Sequence, residues 1–159
     1  PFGPVFVMPK AKILDHSARV PGTDGEKMSK SYNNTLGLFE EAKGLRKKIM
    51  RITTDSRAME DPKEPGEDHL YQLYSLVASA EEQEEMAALY RRGGFGYGQV
   101  KTALADAADR YFAAARSRRT ELERDPSRVR EILEQGAARA RLKAGAVLDR
   151  AKRAAGLSR

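Results

Sequence analysis

The apolar positions fall into two regimes. At the amino end Val5, Phe6 and Val7, and then Ile13 and Leu14, form short apolar runs interrupted by Pro4 and Pro9, a pattern that predicts short extended segments. From Asp15 to Asn34 the residues turn to Gly, Ser, Thr, Asn, Asp and Lys with few apolar positions, which predicts a long exposed loop. Thr35 to Leu38 reads as a brief extended piece. Between Glu40 and Arg51, Leu45, Ile49 and Ile52 recur at helical spacing beside the basic run Arg46, Lys47, Lys48. A second loop is expected from Thr54 to Asp68, where Pro62 and Pro65 lack backbone donors. This loop is the expected hinge or domain boundary.

Everything beyond it carries helical spacing. Leu70, Leu73, Tyr74 and Val77 share one face of a segment over 69–78. Ser79 with Glu82 three residues later is a capping-box pattern, so a helix is expected from there to about Arg92, ended by Gly93, Gly94, Gly96 and Gly98. The Gly-x-Gly spacing of that cluster follows a helix and not a strand, which favours helix termination over a nucleotide loop. The next helix places Val100, Leu104, Ala107, Tyr111 and Ala115 on one stripe. Asp125-Pro126 supplies a cap followed by proline at the first helical position, where its missing N–H costs nothing. A last helix keeps Val129, Leu133, Gly136, Ala140, Ala144, Val147, Leu148 and Ala151 on one stripe, with Gly156 as terminator. The chain is therefore expected to be mainly α.

Composition narrows the function classes. The 159 residues suit one ordinary domain, or a small domain plus part of another. They hold 33% charged residues and no apolar run near the roughly 18 residues of a membrane span, so no membrane partner is expected. The absence of cysteine excludes disulfides, thiolate metal sites and cysteine nucleophiles, and suits a cytoplasmic location. His16 and His69 show no metal-ligand spacing, so no resident metal is expected. No initiator methionine or signal peptide opens the chain, which is expected to be part of a longer protein. The net charge of +6 sits wholly at the carboxyl end: residues 1–115 carry 16 basic and 17 acidic side chains, and residues 116–159 carry 13 and 6. Such a region either concentrates a polyanion or is a solvated arginine-rich surface.

The chemistry concentrates in the first loop. Lys27, Met28, Ser29, Lys30 and Ser31 place two ammonium groups and two hydroxyls in one short segment, between Gly22 and Gly25 and the polar residues that follow. Those groups suit phosphate oxygens, and the glycines permit close backbone approach to a ligand. The order of a Walker A loop is missing. Composition alone leaves a phosphate site and a solvated turn both open.

The exact run is more specific. Gly25-Glu26-Lys27-Met28-Ser29-Lys30-Ser31 resembles the Lys-Met-Ser-Lys-Ser signature of class I aminoacyl-tRNA synthetases. Around it, Ala18-Arg19-Val20-Pro21-Gly22, then Asn34, Leu36 and Leu38, Lys47-Lys48-Ile49, Thr54-Asp55-Ser56 and the stretch from Glu60-Asp61-Pro62 to Pro65-Gly66 resemble the tryptophanyl-tRNA synthetase family. Gly94-Phe95-Gly96-Tyr97-Gly98 with Lys101, and Glu134-Gln135-Gly136-Ala137 with Arg139-Ala140, are similar to its helical carboxyl-terminal region. The tyrosyl-tRNA synthetases are the nearest competitor, and a helical module that binds tRNA or protein without catalysis is the alternative from another class.

The resemblance implies a fold and a set of roles. Residues 1–53 would be the end of a Rossmann-type α/β catalytic domain, contributing its last strand and signature loop, and 54–159 a helical tRNA-binding domain of the anticodon-binding type. ATP is the implied substrate, with Mg2+, alongside tryptophan and tRNA. Lys27 and Lys30 would hold the pyrophosphate portion in the transition state, Ser29 and Ser31 would donate to phosphate oxygens, and the Met28 backbone would lie near the adenine. Arg116, Arg118, Arg119, Arg128 and Arg130 would contact tRNA phosphates, giving binding a steep salt dependence. The family forms homodimers. Its first signature, a pair of nearby histidines, does not occur here, so this chain by itself is expected to be inactive.

Overall fold

The computed structural model describes residues 3–14 and 18–157. His16, for which the sequence suggests no role, lies outside them, as does the start of the predicted loop at Asp15. Five α-helices occur among the described residues: α1 Ala42–Met50, α2 His69–Ser75, α3 Ala80–Arg92, α4 Tyr97–Arg124 and α5 Pro126–Ala154. Single 3-10 turns cover Lys30–Tyr32 and Pro65–Glu67. The mainly helical fold is as expected. The extended segments over 5–7, 13–14 and 35–38 form no ladder among the described residues, where the single β-type pairing is an isolated antiparallel bridge, Pro21 to Lys27. A strand needs neighbouring backbone to satisfy its N–H and C=O groups, and no described segment of this chain supplies it there.

Contacts group the chain into two compact units, one of which is Ile13–Ser117. Its core joins Leu45 and Ile49 of α1 and Ile52 just beyond it with Leu70, Leu73 and Tyr74 of α2, Met86 and Tyr90 of α3, and Val100 and Leu104 of α4. Each such aliphatic side chain removed from water contributes about 1.5–3 kcal/mol, so the short helices α1 and α2 are held by packing and not by their own propensity. α2 is nonetheless well begun. The buried Asp68 caps it, accepting from the N–H groups of Leu70 at 2.7 Å and Tyr71 at 3.3 Å. Both halves of the predicted capping box are present on α3, with Ser79 Oγ accepting the Glu82 N–H at 3.2 Å and Glu82 accepting the Ser79 N–H at 2.9 Å.

α3 stops at Gly93, whose φ of 74° would strain any other residue and whose missing Cβ leaves room for the Glu60 carbonyl, 2.3 Å from where that atom would sit. The backbone beyond it then ties the 55–63 loop down: Gly94 N–H donates to the Met59 carbonyl at 2.8 Å and Lys63 N–H to the Tyr90 carbonyl at 2.8 Å. A ladder of rings, Tyr71, Tyr90, Phe95 and Tyr97, runs behind this loop with centroid spacings of 5.5, 4.7 and 5.9 Å. Tyr111, expected on the buried stripe of α4, is exposed, because the core ends at Ala108 and only Phe112 reaches back to it.

In the other unit, α5 begins as predicted, with Asp125 accepting the Arg128 N–H at 3.0 Å and Pro126 at the first helical position. Gly156, φ 72°, ends it: its N–H and that of Leu157 return to the Arg153 and Lys152 carbonyls. The apolar stripe of α5 is only partly covered: Val129, Val147 and Ala151 are half-buried, no residue among those described is buried, and Leu133 is 66% exposed.

Candidate functional site

The signature loop is a rigidly rooted segment with a free crest. Met28 N–H donates to the Val20 carbonyl at 2.9 Å and Gly22 N–H to the Glu26 carbonyl at 2.6 Å, which turns the chain back on itself around Gly25. Gly25 has φ 85°, and the ring of His69 sits 3.2 Å from where its Cβ would lie. The glycines expected to permit close approach to a ligand thus serve close packing within the protein in this structure. Thr23 links the same root to the helical region: its carbonyl accepts the Thr53 N–H at 3.0 Å, and the Thr53 carbonyl bonds His69 Nε2 at 2.8 Å.

At the centre of the root is Asn34, 2% exposed. Its Oδ1 accepts the Ser29 N–H at 2.8 Å, while its Nδ2 donates to Asp24 Oδ1 at 2.8 Å and to the Lys27 carbonyl at 3.2 Å. The Asn34 amide holds the Asp24 carboxyl below the usual carboxylate range, against a smaller opposing effect of burial. Met28 turns inward, partly buried against the core, where it lines an apolar pocket of about 330 Å³ with Val20, Leu36, Val77, Leu104 and Phe112. Lys27, Lys30 and Ser31 are exposed. Ser29 Oγ and Ser31 Oγ lie 2.7 Å apart, so the two hydroxyls share a hydrogen bond across the start of the 3-10 turn.

The structure therefore brings four of the five predicted groups together at the surface, two cations and two hydroxyls, and sends the Met28 side chain to the core. An anion with several oxygens fits such a crest, because the ammonium groups only donate, and of the two paired hydroxyls one donates to the other and leaves the second free to donate outward. The Met28 N–H is spent on Val20 in this conformation. A second pocket, polar and about 620 Å³, is lined by Arg19, Gly25, His69 and Gln72 among others.

The predicted tRNA-contact arginines are differently placed. Arg116 has a side chain only 19% exposed, pairs with Asp109 and donates from Nε to the Leu38 carbonyl at 3.1 Å, so it braces the segment after the signature loop. Arg118 pairs with Glu121 at 3.0 Å and Arg119 with Glu123 at 2.7 Å near the end of α4. Arg128 pairs with Glu131 on the first turns of α5, where Arg130 also lies. Each exposed pair is worth little to stability, and each carboxylate weakens the field its arginine presents.

The sequence alone does not single out Asn34 as a functional residue. A lone asparagine after a polar loop carries no periodic or spacing signal; its position three residues beyond Ser31 was visible only as part of the family pattern.

Comparison with known proteins agrees with this geometry. The model of the family described as tRNA synthetases class I (W and Y) matches residues 4–113. The chain is 63% identical over 156 residues to a tryptophan–tRNA ligase of Rhodopirellula baltica, covering 98% of this chain and 49% of that protein. A tryptophan–tRNA ligase of Fusobacterium nucleatum is 42% identical, over 96% of this chain and 46% of its own length. The crystal structure of tryptophanyl-tRNA synthetase from Campylobacter jejuni complexed with ADP and tryptophan superposes with a TM-score of 0.78 at 39% identity, over 98% of this chain and 49% of that one. The chain thus spans about half the length of the curated relatives it matches. With the signature run in a rooted, cation-bearing loop and the family model matching more than half of its residues, this chain belongs to the class I tRNA synthetases of the tryptophan and tyrosine branch.

Proposed function

We propose that the chain is the signature-loop and helical part of a tryptophan–tRNA ligase. The observation that carries this is the loop itself: Lys27, Lys30 and Ser31 exposed on a crest whose root is buried and hydrogen-bonded. Similarity to tryptophan–tRNA ligases over nearly the whole chain supports tryptophan over tyrosine. Residues 1–53 belong on this reading to the catalytic domain and 54–159 to the tRNA-binding domain of a cytoplasmic, homodimeric enzyme.

In the reaction, a carboxylate oxygen of tryptophan attacks the α-phosphorus of ATP and pyrophosphate leaves. A hydroxyl of the terminal ribose of the tRNA then attacks the carbonyl of the adenylate, and AMP leaves. ATP enters with Mg2+ as its counter-ion. Since the nucleophile is already ionised, the protein contributes orientation and charge stabilisation. Lys27 and Lys30 meet the negative charge that builds on the departing pyrophosphate, and Ser29 and Ser31 donate to its oxygens. Arg118, Arg119, Arg128 and Arg130 serve as phosphate contacts for tRNA, with Arg116 holding the Leu38 segment beside them in the chain.

The test is Lys30→Ala in the full-length protein, followed by ATP–pyrophosphate exchange with tryptophan and, separately, tyrosine. The expected result is exchange dependent on tryptophan, with a rate lowered about a hundredfold or more and an ATP KM changed far less. Unchanged exchange kinetics in that variant would rule the loop out as a phosphate site.

A further inference from the structure

We infer that Asn34 is a positioning residue of the adenylation step, acting through the two lysines whose backbone it holds in place and whose ammonium groups it does not touch. The inference rests on the reading that the loop handles the phosphates of ATP. A carboxamide offers two N–H donors and one acceptor oxygen, and all three are used on the loop. The Lys27 carbonyl and the Met28 N–H belong to one peptide unit, gripped by Asn34 on one side and by Val20 on the other. The Ser29 N–H belongs to the next unit, also held by Asn34. Both peptide planes flanking the Met28 Cα are thereby fixed. With Met28 packed against the core, Lys27 and Lys30 on either side of it lie exposed on the crest.

Two further features show that the neighbourhood is shaped around this side chain. A Cβ on Gly22 would lie 2.3 Å from Asn34 Nδ2 and 2.8 Å from the Asn34 carbonyl, so the carboxamide occupies the space that a side chain at 22 would take. The Asn34 carbonyl in turn accepts the Thr23 N–H at 3.0 Å, which fixes the asparagine backbone against the same turn. An aspartate at position 34 would keep the shape and lose both donors, setting its oxygens against Asp24 and the Lys27 carbonyl. A misplacement of about 1 Å in a group that stabilises a transition state costs on the order of a hundredfold in rate.

The experiment is a double-mutant cycle of Asn34→Asp and Lys30→Ala in the full-length protein, read as ATP–pyrophosphate exchange per active site, with the active sites counted by the adenylate burst. Asn34→Asp is expected to lower the per-site rate about 10- to 100-fold, to leave the tryptophan KM unchanged and to shift the ATP KM by less than about threefold. On top of Lys30→Ala it is expected to add clearly less than its loss as a single variant, since the share of its effect that passes through Lys30 is already gone and only the share through Lys27 remains. A per-site rate equal to that of the parent, or losses that multiply in full, would overturn the role of Asn34. If Lys30→Ala itself has no effect, the reading of the loop fails, and that outcome is distinct from the failure of Asn34 alone. Should Asn34→Asp yield no folded protein, Asp24→Asn, at an exposed position, removes the charged acceptor of one Asn34 donor. It is expected to give a loss of about threefold with the same lack of additivity, and a full rate there would overturn the inference.

Discussion

Lys63 is a buried cation with no ion pair among the described residues, and replacing it by methionine asks which of two large terms wins. Its side chain is 3% exposed. The ammonium donates to the Ala58 carbonyl at 2.8 Å and the Asp61 carbonyl at 2.9 Å, and lies 4.7 Å from the centroid of Phe95 and 5.7 Å from that of Tyr97. Methionine is close to lysine in volume and unbranched, so shape is nearly conserved. The change takes the ammonium from both carbonyls, at about 1–3 kcal/mol for that of Asp61 and less for that of Ala58, which also accepts the Asp61 N–H at 3.3 Å. It also exchanges a desolvated cation–π contact of about 2 kcal/mol for a sulfur–aromatic contact worth about 1 kcal/mol. Against this, the penalty of removing an ammonium from water, several kcal/mol, is relieved.

Ala58 and Asp61 are exposed residues, so water can replace part of what the ammonium gave them. The balance therefore falls at the lower end of the cost, and Lys63→Met is expected to destabilise by about 2 kcal/mol. For a chain of 159 residues this corresponds to a fall of about 4–8 °C in Tm. Urea unfolding followed by far-UV circular dichroism reads the first quantity and calorimetry the second, with the slope against urea unchanged. If Lys63→Met is as stable as the parent or more so, desolvation outweighs the hydrogen bonds, and Lys63 is no strut for the 58–63 loop.

Two other substitutions probe single groups. Tyr90 is fully buried and its hydroxyl has no hydrogen-bond partner among the described residues, while burial pushes that hydroxyl's pKa far up; Tyr90→Phe is expected to raise stability by about 1 kcal/mol in urea unfolding, and a loss of that size would reveal a partner for the oxygen. The Asp125 carboxyl is held below its usual range, first by the Ser127 hydroxyl and then by the Arg128 N–H. A depressed pKa contributes stability that is complete above the unfolded value, near 4, and is lost as pH falls through the folded one. Protection of the Arg128 amide from hydrogen exchange is thus expected to drop on acidification below about pH 4, and Asp125→Asn is expected to flatten that dependence. A dependence unaltered in the variant would place its origin elsewhere.

What the chain disclosed in advance follows from the range of the interactions involved. The ends of α3 and α5 are set by residues within four positions, Ser79 with Glu82 and Asp125 with Arg128, and such local chemistry was legible. So was the stripe of α1, since Leu45, Ile49 and Ile52 all reach the core. Tyr111 was misjudged by the same periodicity, because spacing says which residues share a face and not how far along a long helix the core extends. The stripe of α5 shows the same limit, with its apolar residues in register and none buried.

The candidate site divides along the same line. The crest, Lys27 to Ser31, is a contiguous string whose chemistry is visible in the letters, whereas its root is assembled by contacts across 5, 7 and 10 positions through one asparagine. Sequence assigned Gly22 and Gly25 to close backbone approach to a ligand, but the space of their missing side chains is taken by Asn34 and by the ring of His69. A loop that only had to move would not need those glycines packed. Gly25 against His69, and Thr23 bonded to Thr53, instead make the root continuous with the start of α2. Any shift of that helix therefore pulls on the turn that roots the Lys27 segment, through the hydrogen-bonded residues Thr23, Thr53 and His69.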